Sequence, residues 1–146
     1  MMGIQAEGAA PIVDAYKKKA LEIRAVEKPE TIATAIRIGA PASWKKALRA
    51  VRESGGAMET VSDNEILRGQ RDLARREGLF VEPASASSVA GLKKLMEKGL
   101  IDKGEEVVCI ATGHGLKDPQ IVTKIGETPV KTKSDFHSIQ KALKLS

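Results

Sequence analysis

The sequence predicts an α/β fold, a mostly parallel sheet flanked by helices. Three observations predict it. Short apolar segments alternate along the chain with stretches of helical periodicity, the pattern of βα units. The run Val107 to Ala111 is continuously apolar rather than alternating, which reads as a strand buried on both faces. Small-residue stretches follow three of the predicted strands, "QAEGAAP", "EPASA" and "TGHG", where an open parallel sheet gathers its ligands.

The elements follow in order. "MMGIQAEG" is a short apolar run ending in small residues and reads as a strand starting almost at residue 1. A helix follows from about Pro11 to Leu21, with Ile12, Val13 and Tyr16 on one side. Pro29 suits the first turn of a short helix, where its missing N–H is not needed, and Gly39 ends it. Pro41 or Ser43 opens the next helix, whose Trp44, Ala47, Leu48 and Val51 make an i, i+3, i+4, i+7 stripe stopped by Gly55 and Gly56. "AMETVS" is a second strand, and Ser62 with Glu65 spells a capping box. The helix beyond it turns Ile66, Leu67, Leu73 and Ala74 inward and ends at Gly78. "LFV" is a third strand. "EPASASSVAGLKKLMEKG" is a loop turning into a helix that buries Val89, Leu92 and Met96 and closes at Gly99. "EVVCIAT" is the fourth strand. After it come a Pro-containing polar loop and a last helix starting near Ser134. The organisation expected is a partial large α/β domain over 1–119 and a tail with a terminal helix over 120–146.

Composition narrows the function. A chain of 146 residues, 42% hydrophobic and 29% charged, reads as one globular domain burying roughly two-thirds of its unfolded surface. No apolar run reaches the ~18 residues of a membrane span, and no secretory n-region and h-region are seen. One cysteine leaves no internal disulfide and fits a reducing, cytoplasmic setting. The net charge of +5 suits anionic ligands, but the cations are spread along helix faces and aromatics are only 3%. There is thus no stacking platform for bases, and nucleic acid is not an expected partner.

Several site chemistries fail on residue type. His114 and His137 are far apart and Cys109 lies inside the apolar run, so no metal-ligand cluster forms. Cys109 reads as an inert core thiol. Ser85, His114 and Asp118 could be drawn as a triad, but no G-x-S-x-G elbow supports it. Neither a Walker loop nor a G-x-G-x-x-G is present.

Four blocks carry a family resemblance. "FVEPASASSVAGL" (Phe80–Leu92) and "ATGHGLKDP" (Ala111–Pro119), with "GIQAEGAAPI" (Gly3–Ile12) and "PETIATAIRIGAPASW" (Pro29–Trp44) upstream, resemble threonine synthase in the same order. That family belongs to the pyridoxal-phosphate enzymes of fold type II, the tryptophan-synthase β-subunit type. The resemblance implies a lyase of threonine biosynthesis, converting O-phosphohomoserine and water to threonine and phosphate. It implies that Thr112 sets a neutral hydroxyl against the pyridine nitrogen, making the ring a moderate electron sink, with Gly113 and Gly115 letting the backbone turn beside it. Read without the family, Thr112 is a β-branched strand end. Glu82, Ala84 and Ser85 are expected along the ring's flank, Ser85 nearer the substrate; Glu82 also reads as a plain carboxylate near a helix start. His114 and Lys117 are expected near the anionic substrate, though a surface lysine at a turn is the commoner fate.

The family's Schiff-base lysine, in a Ser-Phe-Lys-Asp-like motif, and its Gly- and Asn-rich phosphate loop have no match in these 146 residues, so no residue of this chain is expected to be catalytic. The resemblance is to roughly the C-terminal two-fifths of a threonine synthase. One departure lies inside it: Ala40 stands before Pro41 where the family usually has Asn. Two functions follow: a fragment or half of a split threonine synthase, and a non-catalytic interaction module pairing with a missing N-terminal half or with itself. Cysteate synthase and threonine dehydratase are related alternatives.

Overall fold

In a computed structural model, residues 1–121 and 130–144 are described. Strand β1 (Met2–Ala6) and strand β2 (Ala57–Val61) pair in parallel, Ile4 opposite Glu59 and Ala6 opposite Val61. Helices α1 (Pro11–Lys17) and α2 (Trp44–Glu53) cover one face. Their Val13, Leu48 and Val51 pack with Met58 of β2. Helices α3 (Asp63–Arg76) and α4 (Pro83–Glu97) cover the other, where Ala6, Val61, Ile66, Ala86 and Ala90 form the second cluster. Alternate residues of each strand therefore feed opposite layers, as the pleat requires. Among the described residues, no helix is long and apolar enough to cross a membrane.

Local signals act as expected at most helix ends. The Gly55 N–H donates to the Arg52 carbonyl and the Gly56 N–H to that of Val51, with Gly55 at φ +60°, a paired closure of α2. Ser62 and Glu65 make the reciprocal capping box on α3. Gln5, at the end of β1, accepts from the Ile12 and Val13 N–H groups at 2.9 and 3.0 Å and so caps α1 from the sheet. The last helix, α5 (Phe136–Ala142), starts two residues past Ser134 because Asp135 supplies its cap. The expected Pro-containing loop falls largely on 122–129, outside the described residues.

Other expectations are corrected. The helix after Pro29 is a single 3-10 turn, Thr34–Ile36. β-Branched Thr31, Ile32 and Thr34 are poor helix formers, and the chain is tied instead to distant backbone, Glu30 N–H to the Gly8 carbonyl and Val26 N–H to that of Gly39. Helix α1 stops at Lys17 rather than Leu21. The inward face of α3 is Ile66, Gly69, Gln70 and Leu73, leaving Ala74 exposed. In α4 the small residues Ala86, Ala90 and Gly91 are buried with Leu95, whereas Met96 is exposed. The stretch "LFV" forms only one antiparallel bridge, Val81 to His114. The apolar run 107–111 forms no strand, and Val108 and Ile110 are 82% and 67% exposed. A strand exists by pairing, and the described residues offer no partner for this run.

Candidate site at the start of helix α4

Helix α4 begins earlier than its sequence suggests. Pro83 occupies the first helical position, where a missing N–H costs nothing, and Glu82 is the N-cap residue. Ala84 and Ser85 therefore sit in a helical first turn rather than in a loop. Against this turn lies the segment Thr112–Lys117. The Glu82 N–H donates to the Gly113 carbonyl and the Gly115 N–H to that of Phe80, both at 3.0 Å. The residues to which the resemblance points, Glu82, Ala84, Ser85, Thr112, Gly113, His114, Gly115 and Lys117, thus belong to two adjoining segments.

Ser85 is the hinge of the arrangement. Its Oγ accepts the Gly113 N–H at 2.7 Å and lies 3.0 Å from Thr112 Oγ1. Ser85 is 1% exposed while Thr112 belongs to the exposed surface, so a buried hydroxyl meets that of a surface residue. Glu82, 4% exposed, has its carboxylate 3.0 Å from Lys117 Nζ. A Cβ on residue 113 would overlap that carboxylate, which would have to shift to admit it. A Cβ on residue 115 would enter the Phe80 ring.

His114 and Lys117 each have partners within the two segments. The Nδ1 of His114 accepts the Leu116 N–H at 3.1 Å, and its ring stands edge-on to Phe80 with centroids 5.6 Å apart. Lys117 is spent on Glu82. Asp118 accepts from the Thr34 hydroxyl at 3.4 Å. Two features of the site were not legible. The first is the Ser85–Gly113 bond, for which no local motif exists. The second is Gln70, buried on α3, whose amide donates to the Val81 carbonyl at 2.8 Å; a polar residue on an inward helix face was its only signal. Burial raises the Cys109 thiol above its ordinary range, with the Ser88 carbonyl as a weak partner, in keeping with an inert thiol.

The donor set suits an aromatic nitrogen. Thr112 offers a neutral hydroxyl on a fixed backbone, and the carboxylate of the facing segment, Glu82, is already neutralised by Lys117. A ring nitrogen here would meet a hydroxyl and not a free carboxylate.

Comparisons with known proteins give the family. The family model for pyridoxal-phosphate dependent enzymes matches residues 1–113. The chain belongs to that family. It is 56% identical over 144 residues to the threonine synthase of Methanocaldococcus jannaschii, a match that covers 99% of this chain and 36% of that protein. To the threonine synthase of Methanosarcina acetivorans it is 57% identical over 143 residues, 98% of this chain and 35% of that one. The chain therefore spans about a third of the length of the curated relatives it matches. Among solved structures, the T.th. threonine deaminase aligns with a TM-score of 0.54 and 25% identity, over 68% of this chain and 34% of that one. Maize serine racemase, 17% identical with a TM-score of 0.50, covers 61% of this chain and 26% of its own and shares the fold alone. The four-block resemblance to threonine synthases is borne out at the level of family, and with it the fold type II architecture.

Proposed function

We propose that this chain supplies the ring-facing wall of a threonine synthase, with the Schiff-base lysine and phosphate loop coming from polypeptide outside these 146 residues. The reaction read for the whole assembly is conversion of O-phosphohomoserine and water to threonine and phosphate. Pyridoxal phosphate, when bound, supplies the electron sink for that chemistry. The observation that carries the reading is the hydroxyl of exposed Thr112 lying 3.0 Å from that of buried Ser85 at the start of α4. Thr112 would donate to the pyridine nitrogen, Gly113 would keep the backbone close beside it, and Ala84 and Glu82 would line the ring's flank. His114 would stand nearest the substrate, while Lys117 holds Glu82 in place. The single cysteine accords with a reducing compartment such as the cytoplasm.

The partner face follows from the same reading. The outer edge of β2 is guarded by charge: Glu59 is bonded by Lys17 at 2.5 Å and by Lys98, a device that blunts an edge strand. Elsewhere the surface is apolar, a groove of about 300 Å³ whose lining includes Met2 and Ile4 of β1 together with Val107, Val108 and Ile110. Apolar surface beside a strand suits added strands from the polypeptide that carries the lysine. The same surface favours a second reading, a non-catalytic module that associates with itself through this face.

A chimera separates the two. This chain is grafted in place of the matching residues of the Methanocaldococcus jannaschii threonine synthase, and phosphate release from O-phosphohomoserine is followed. Retained activity that falls on Thr112→Ala supports the enzyme reading. A folded chimera that binds pyridoxal phosphate and releases no phosphate contradicts it.

A further inference from the structure

Ser85 and Thr112 form a two-hydroxyl chain of which only the outer end is exposed. A hydroxyl carries one proton and two lone pairs. On Ser85 one lone pair is taken by the Gly113 N–H at 2.7 Å. Its proton has two possible acceptors, Thr112 Oγ1 at 3.0 Å and the Gly113 carbonyl at 3.2 Å. If the proton goes to the carbonyl, Thr112 turns its own proton inward to Ser85. If it goes to Thr112, the Thr112 proton points outward.

We propose that Ser85 is the positioning residue for Thr112: its proton goes to the nearer acceptor, Thr112 Oγ1, and the Thr112 O–H is thereby aimed out of the site as a donor. This rests on the reading of Thr112 as the residue facing the pyridine nitrogen. Gly113 N–H, Ser85 O–H and Thr112 O–H then run head to tail, each donor polarised by the one behind it. A chain aligned this way serves an unprotonated ring nitrogen, since a protonated one would meet a second donor. The titratable groups on the two segments do not oppose it. Glu82 and Lys117 are bonded to each other, and His114 Nδ1 accepts the Leu116 N–H. Ser85 thus acts through Thr112 and not on the substrate.

The test has two arms. In the full chain, NMR reads exchange of the Gly113 amide and the rotamer of Thr112. Ser85→Ala is expected to speed Gly113 exchange by about tenfold, the loss of one hydrogen bond, and to release Thr112 into several rotamers. Ser85→Thr, which keeps the hydroxyl, restores both, and Ser87→Ala, whose hydroxyl serves the Ala84 carbonyl, changes neither. Unchanged exchange and rotamer in a folded Ser85→Ala chain overturn the proposal, and Ser85→Cys, a weaker donor, serves if the alanine variant does not fold. In the second arm the chimera is loaded with pyridoxal phosphate labelled with ¹⁵N in the ring. A nitrogen signal moved by Thr112→Ala and also by Ser85→Ala supports the proposal. One moved by Thr112→Ala alone overturns it and leaves the function standing, and one moved by neither overturns the function itself.

Discussion

Glu82 and Gly113 hold each other twice. The Glu82 N–H donates to the Gly113 carbonyl at 3.0 Å, and the Glu82 carboxylate fills the space a side chain at 113 would need. Gly113→Ala must displace a buried carboxylate already bonded to Lys117. A cost of about 1–3 kcal/mol is expected, the usual range for overpacking. Urea titration of Gly113→Ala, Glu82→Ala and the double variant checks it. The alanine at 113 should cost less once Glu82 is gone, the non-additivity of residues in contact.

Glu59 gives the acid limb of stability. Burial alone would raise its carboxyl, but the hydrogen bonds from Lys17 and Lys98 and the Thr60 N–H hold it at about 2. A folded value below the unfolded one, about 4.3, means stability that is present above that range and lost as pH falls from about 5 towards 2. The two lysines are half-exposed, so screening trims the effect to about 2 kcal/mol. Glu65, which burial alone would likewise raise, is lowered by Ser62 and Lys94 and acts in the same direction. Thermal midpoints between pH 7 and 3 should fall less steeply in Glu59→Gln than in the parent chain.

Much of this architecture is readable from local sequence. The capping box at Ser62, the stripe on α2 and the glycine closures each depend on residues within a turn or two of each other, so neighbouring positions suffice. The residues of the candidate site were also nameable as expectations from the family blocks. Their geometry was not. The bonds of Ser85 to Thr112 and Gly113 join residues 27 and 28 apart in the chain, beyond the reach of any local pattern. The run 107–111 misled for a related reason: continuous apolarity marks a buried strand, but burial requires neighbours that these residues do not supply. Periodicity likewise misplaced the α4 face, because small residues such as Ala86 and Gly91 mark close packing rather than the bulk of Met96.

Gly91 makes that close packing testable. A Cβ at 91 would overlap Ile4 Cγ1 and Cδ1, with Cγ2 at 3.1 Å, so α4 rests directly on β1. Gly91→Ala is expected to destabilise by about 1–3 kcal/mol despite the better helix propensity of alanine. Combining it with Ile4→Ala, which removes both overlapping carbons, should cost less than the sum of the two single changes in a urea titration.

The apolar wall should govern association. Val108 at 82% and Ile110 at 67% exposure are large side chains left in water, and such patches drive assembly. Sedimentation of the full chain should show concentration-dependent association. Val108→Lys with Ile110→Lys should shift it towards monomer while leaving the helical circular dichroism unchanged.

The proposed function divides the labour: this chain would face the cofactor ring and another segment would hold it covalently. Borohydride reduction of the pyridoxal phosphate-loaded chimera, followed by peptide mass spectrometry, reads that division directly. The account expects the reduced pyridoxyl group on a lysine contributed by the Methanocaldococcus jannaschii portion and on none from these 146 residues. A stoichiometric adduct on a lysine of this chain, Lys117 above all, in a chimera that turns over substrate would contradict it.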